Sequence, residues 1–170
     1  ARDKAIDSIH IFLSGAWHIS RTTTVRYKKD KISDVDRNLI ETLVEKEIKQ
    51  LKESELFKQS DDIKILNRSI TSIKLNGYPT AKPEKKSAKE LTLDVFAAVM
   101  PESLYKELEH IVGAAFHTHS VQMHSFTLAA SSLTSRTTPC DLTAVIDVSG
   151  ALTELTLTLC AVPHSTASFA

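Results

Sequence analysis

The chain has 170 residues, enough for one ordinary domain or two small ones, and its 25% charged and 42% apolar residues suit a packed core. A net charge of zero argues against nonspecific nucleic-acid binding as its task. No apolar run approaches the roughly 18 residues of a membrane-spanning helix, and the opening residues do not read as a signal peptide.

Ile9 to Leu13 reads as a compact apolar strand closed by Ser14-Gly15. A second strand runs from Ile19 to Tyr27, where Thr22, Thr23, Thr24 and Val25 favour extended backbone. Lys28 to Lys31 reads as a charged turn, and Ser33 as an N-cap with Asp36 three residues on. Val35, Leu39, Ile40, Leu43, Val44, Ile48 and Leu51 recur at helical spacing, so a helix is expected over residues 34–57, supported by i,i+4 pairs such as Glu45–Lys49.

Ile63 to Leu66 and Ile70 to Leu75 suggest two strands, the second ending at an Asn76-Gly77 turn. Residues 78–90 read as an exposed loop, with a basic run of Lys82, Lys85, Lys86 and Lys89 that is most simply solvated. Leu91 to Val99 is a strand. Pro101 opens a second helix whose buried face would carry Leu104, Leu108, Ile111, Val112 and Ala115. Val121 to Phe126 reads as a strand and Leu128 to Leu133 as a short helix. Strands then flank Asp147, with a last one near Thr166 to Phe169. The order is β-β-α-β-β-β-α-β, a short helix, then a hairpin. It divides into an α+β module at 8–116 and pieces of a larger α/β body at 117–170.

Charge is unevenly spread. Residues 111–170 hold only Arg136, Asp141, Asp147 and Glu154, out of 21 basic and 21 acidic residues in the chain. A stretch so poor in charge is expected to be covered on more than one face. It can be a core layer of this chain, or its packing partner can lie beyond the ends; Phe169-Ala170 carries no stop signal and reads as a truncation.

The segment Asp147-Val148-Ser149-Gly150-Ala151-Leu152-Thr153-Glu154 reads as strand, tight glycine turn, strand. Such a hairpin can aim backbone N–H groups and a hydroxyl at a phosphate, with the carboxylate near its metal ion. A plain β-hairpin is the alternative. His117, His119 and His124 cluster, but no third acid or thiol is near, so satisfied or exposed histidines are the simpler expectation than zinc. His10 and His18 have no evident catalytic partner. Ser14-Gly15 and Ser149-Gly150 do not make a nucleophile elbow, and no Walker A or Rossmann fingerprint occurs. Cys140 and Cys160 fit neither a metal spacing nor a disulfide framework, so two core thiols in a reducing cytosol are expected. Trp17 reads as partial core.

In order, these pieces resemble the actin-like ATPase superfamily in its bacterial FtsA/PilM branch. Ile9 to Gly15 is similar to the first strand of the inserted subdomain known as SHS2. Ser33-Asp34-Val35-Asp36 with the helix after it resembles that subdomain's first helix. Leu75 to Tyr78 is similar to a turn of that subdomain, and Leu91 to Val112 to its last strand–helix pair. His124 to Leu133 resembles the segment returning to the ATPase lobe. Asp147 to Glu154 falls where the second phosphate hairpin would sit, with Ser149 standing where the pattern has its first glycine.

The resemblance implies an SHS2-like subdomain at 8–116 joined to part of an actin-like (ribonuclease H-like) lobe at 117–170. It implies ATP and Mg²⁺ for the parent protein only, through Asp147, Ser149, Gly150 and Thr153, with Asp147 holding the metal through water. No cofactor and no catalytic residue is expected in this stretch by itself.

Two functions follow from that resemblance. One is a non-catalytic interaction module in cell division or in type IV pilus or secretion assembly, cytoplasmic and held at the inner membrane through partners. Its partner would be a cytoplasmic peptide of a membrane protein or a second copy, docked on strand edges or in the cleft beside the lobe. The other is part of an active ATP-hydrolysing actin-like ATPase. An unrelated α+β domain is the blander option.

Overall fold

The computed structural model describes residues 6–53, 62–118, 120–137, 141–150, 152–160 and 162–169. It is a mixed α+β chain. In order it runs β1 (Ile9–Leu13), β2 (Ile19–Asp34), α1 (Arg37–Lys52), β3 (Ile63–Leu75), β4 (Tyr78–Pro79), β5 (Ser87–Pro101) and α2 (Glu102–Phe116). β6 (Val121–Ser125), α3 (Phe126–Thr137), β7 (Leu142–Ser149), β8 (Leu152–Leu159) and β9 (Val162–Phe169) follow. The strands form three sheets: parallel β1–β6, a four-stranded sheet in the order β2-β5-β3-β4, and antiparallel β7-β8-β9.

The element order follows the sequence reading except between α1 and α2, and several elements differ in extent from what was expected. The charged stretch Lys28 to Lys31 is not a turn; it lies inside β2. Lys28 meets Glu90 across the sheet at 3.5 Å, and further along β2 Ser87 Oγ donates to Asp34 Oδ1 at 2.6 Å. The helix starts later than expected, because the cap is Asp36, whose carboxylate accepts the Leu39 N–H at 2.7 Å. Ser33 stays in the strand, with its hydroxyl buried and unpartnered among the described residues. Residues 54–57 of the expected helix lie outside the described residues. Its i,i+4 ion pairs are Arg37–Glu41 and Lys49–Glu53.

The two strands expected at 63–66 and 70–75 are one strand, β3. Asn76 and Gly77 have φ of 49° and 86°, the two positive values of a type I′ turn into β4. The expected loop 78–90 is partly strand, because Asn76 Oδ1 accepts the N–H groups of Lys89 and Glu90 and starts β5 early. The four lysines of that stretch are exposed, as expected.

The chain divides into two compact units interleaved in sequence: residues 1–20, 60–67 and 98–170, and residues 21–59 and 68–97. The second unit buries the α1 stripe Ile40, Val44, Ile48 and Leu51 together with Val35, Leu91, Leu93 and Val95. These residues combine the 3.6-residue period of a helix with the two-residue period of a strand. The first unit centres on Leu13, Met100, Val121 and Met123, packed by Leu66, Leu104, Tyr105, Leu108 and Val112. Ile111 and Ala115 of α2, expected on its buried face, are exposed, because the row that packs on the core, itself only half-buried, is 104, 108 and 112.

Candidate functional site

The β7–β8 hairpin forms as the sequence predicts. Ser149 pairs with Leu152, Val148 with Thr153 and Asp147 with Glu154, and Gly150 takes φ 59° in the turn. Cross-strand partners share a face. Asp147 and Ser149 therefore lie on one side of the sheet, and Thr153 lies on the other beside Val148. Of the four residues expected at a phosphate, the strand register brings two to one face. Asp147 Oδ2 is buried with no hydrogen-bond partner among the described residues, and it faces the carboxylate-bearing Glu154. An orphaned carboxylate oxygen beside a second acid is a donor set that suits a hydrated Mg²⁺ ion.

The three-stranded sheet is inverted in polarity. Its inner face, toward α3, carries Thr143, Asp147, Ser149, Glu154, Thr156 and Thr158 beside half-buried Val145 and Leu152; Glu154, Thr156 and Thr158 are buried. Its outer face carries Leu142, Ile146, Val148, Leu157, Leu159 and Phe169. Leu142, Ile146 and Val148 are 71%, 62% and 76% exposed. Sheets with one wet face normally place these side chains the other way round.

The inner face joins a buried polar network. Glu154, 7% exposed, accepts a short hydrogen bond from the Thr127 hydroxyl at the start of α3. A Cβ on Gly15 would overlap the Glu154 carboxylate, so the turn after β1 approaches it only because residue 15 is glycine. Nearby, Ser14 O accepts from His18 Nδ1 at 2.9 Å, which leaves Nε2 to accept the Ser125 hydroxyl at 2.8 Å. Burial pushes the His18 pKa down, against the smaller opposing effects of the Ser14 carbonyl and the Glu154 charge. His18 is a neutral imidazole stapling the first turn to the β6–α3 junction. It lies 107 residues from Ser125 in sequence, and no local signal could have paired them.

Of the histidine cluster, the described members are one exposed ring, His117, and one hydrogen-bonded ring, His124, as the simpler expectation had it. His117 is the left-handed C-cap of α2, not a strand residue, and His119 lies outside the described residues. His124 stacks on His10 at 5.3 Å between centroids. Asn67 Oδ1 accepts the Ser125 N–H at 2.6 Å, which turns the Asn67 NH₂ toward His124 Nδ1. His124 Nε2–H then donates to His10 Nδ1 at 3.1 Å. Burial, and then the neighbouring His10, lower the His124 pKa. Among the described residues no three metal-ligating side chains converge.

Cys160 corrects another expectation. It is disulfide-bonded and exposed, not a core thiol, in a turn with φ 52°. Cys140 lies outside the described residues. Trp17 is half exposed, and no helix among the described residues is long and apolar enough to cross a membrane.

No protein-family model and no curated protein matches the sequence. Among solved structures the fold matches a PilM-PilN type IV pilus biogenesis complex at 13% identity and a TM-score of 0.54. The match covers 94% of this chain and 42% of that one, so the chain spans under half the neighbour's length. At that identity the likeness is one of fold: the chain has a PilM-like architecture.

Proposed function

We propose that this chain is a non-catalytic protein-interaction portion of an FtsA/PilM-like bacterial actin homologue. Its setting is type IV pilus or secretion assembly, with cell division as the other use of that branch. The observation that carries the reading is the inverted β7–β9 sheet. A leucine-rich face open to water, backed by a buried polar face, suits a surface that works covered. The PilM-like fold supplies the setting, and the solved neighbour is itself a complex with a second protein, PilN. On this reading the four-stranded sheet with α1 belongs to an SHS2-like inserted subdomain, and β7–β9 belongs to part of an actin-like lobe. The partner is a cytoplasmic peptide of a membrane protein or a second copy of the chain. The location is the cytoplasmic face of the inner membrane, reached through that partner.

Peptides tiling the cytoplasmic segments of the membrane proteins encoded alongside it, titrated into the chain, test this reading. Saturable binding of one segment, or concentration-dependent dimerisation in sedimentation, supports it. A monomer that binds none of them removes it.

One observation favours a second reading, an ATP-binding parent. The unpartnered Asp147 Oδ2 facing Glu154 suits a hydrated Mg²⁺, with Ser149 and Gly150 at the turn. Bound ATP and Mg²⁺ would supply phosphoryl chemistry; this chain's residues would only position the ion. Calorimetric titration of the full-length parent with Mg·ATP tests it, because heat lost on Asp147→Ala is the outcome this reading requires.

A further inference from the structure

β2 is an edge strand. Among the described residues it pairs in its sheet only with β5, and it runs 16 residues without proline or glycine. Edges of that length present a row of unpaired N–H and C=O groups. From residue 21 onward β2 carries Arg21, Arg26, Lys28, Lys29 and Lys31 against Asp30 and Asp34. Lys28 keeps a 3.5 Å contact with Glu90 but is 73% exposed, and Arg21, Arg26 and Lys31 make no ion pair among the described residues. The strand alternates: Val25 and Tyr27 are half-buried on one face, and Thr24, Arg26, Lys28 and Asp30 are exposed on the other.

From this alternation we infer that the β2 edge accepts an added strand, an extended peptide alternating acidic with apolar residues. Its carboxylates lie across from Arg26 and Lys28, and its apolar side chains lie along Val25 and Tyr27. Cross-strand neighbours sit about 5 Å apart, close enough for both kinds of contact. Backbone pairing gives the affinity and the alternation gives the register. Lysines on an edge also block unwanted strand pairing. Here they select by charge, admitting an acidic strand and repelling a copy of β2 itself. The inference rests on the interaction-module reading and names the partner's chemistry.

The test uses the full chain and a synthetic peptide of about ten residues alternating Glu and Leu. Amide hydrogen exchange is read residue by residue over 21–34. Slowed exchange there on peptide binding is expected. N-methylation of every second peptide residue should abolish binding, and Arg26→Glu with Lys28→Glu should weaken it by roughly tenfold. Binding that survives N-methylation overturns the inference, as does binding without protection of 21–34. Anionic vesicles competing for the same cations without that protection would assign the patch to lipid and overturn it too. If the peptide fails while a tiled membrane-protein segment still binds, the edge is wrong and the module reading stands; if both fail, the module reading falls with it.

Discussion

The four-stranded sheet and the three-stranded sheet answer the same problem in opposite ways. Each has free edges and a face that α-helical cover does not reach. β2 lines its edge with arginine and lysine, and its open face pairs polar groups, with Thr24 donating to Asp94 Oδ1 at 2.6 Å and Lys28 near Glu90. β7–β9 has no lysine or arginine in any strand, and its open face is mainly apolar, with Thr153 and Ser165 among leucine, isoleucine, valine, alanine and phenylalanine. The first sheet is equipped to stand in water. The second has placed its polar groups inward, where Glu154, Thr127 and Thr156 depend on one another, and its apolar groups outward. Stability in the second sheet should therefore rest on buried polar contacts to an unusual degree, and that dependence can be measured.

The largest contrast is between two glutamates. Glu154→Ala removes a buried carboxylate, leaves the Thr127 hydroxyl unpaired and should cost about 3 kcal/mol in chemical denaturation. Glu90→Ala removes the half-buried partner of an exposed Lys28 and should cost under about 1 kcal/mol. Equal costs would dissolve the distinction between the sheets. Gly15→Ala should follow Glu154→Ala in direction, because the new Cβ displaces the same carboxylate.

Reduction of the Cys160 disulfide is expected next in size. Adding dithiothreitol should destabilise the chain by about 2–3 kcal/mol. The loss should appear in exchange of β8 and β9 amides and leave β2, β5 and β3 unchanged. Loss spread evenly over all three sheets would show that the units do not fail separately.

A smaller effect separates the units by pH. The His18 pKa is lowered in the fold, mainly by burial, so the unfolded chain takes up a proton at that ring more readily. The stability held by neutral His18 is complete above its unfolded value of about 6.5. It is lost as pH falls below that value toward the lower folded one. Melting followed from pH 8 to 5 should show this loss in the wild type and less of it in His18→Gln. The proton-linked loss belongs to the unit holding β1, β6 and α3. His124 is lowered too, by burial and by His10, so the double variant with His124→Gln should flatten the curve further.

How much of this was legible in the sequence depends on the range of the interaction. The type I′ turn at Asn76-Gly77, the stripe on α1 and the Asp147 hairpin follow from neighbours a few residues apart, and all three form. β2 outran its expected end because Lys28 to Lys31 looks like a turn until Glu90 is placed beside Lys28 and Ser87 beside Asp34. Their partners lie more than 50 residues away. Ser33 looked like a cap because serine caps helices, yet Asp36 was better placed by three residues. The His18–Ser125 staple and the Gly15–Glu154 approach have no local pattern at all. The poverty of charge after residue 110 suggested cover on more than one face, yet Leu142, Ile146 and Val148 on the outer face of β7 stand open to water.

That bare face gives the smallest expected change in stability and the most informative one. Ile146 and Val148 are largely exposed, so replacing both with lysine removes little packing and should alter unfolding free energy by within about 0.5 kcal/mol. The same exchange at Leu93 or Val44, both buried, would cost several times more. If the outer face works by being covered, the lysines should abolish self-association or partner binding while the melting curve of the isolated chain stays in place. A double-lysine variant that melts as early as a core variant would mean these side chains are already packed in solution. The inverted sheet would then be an ordinary one, buried on both faces.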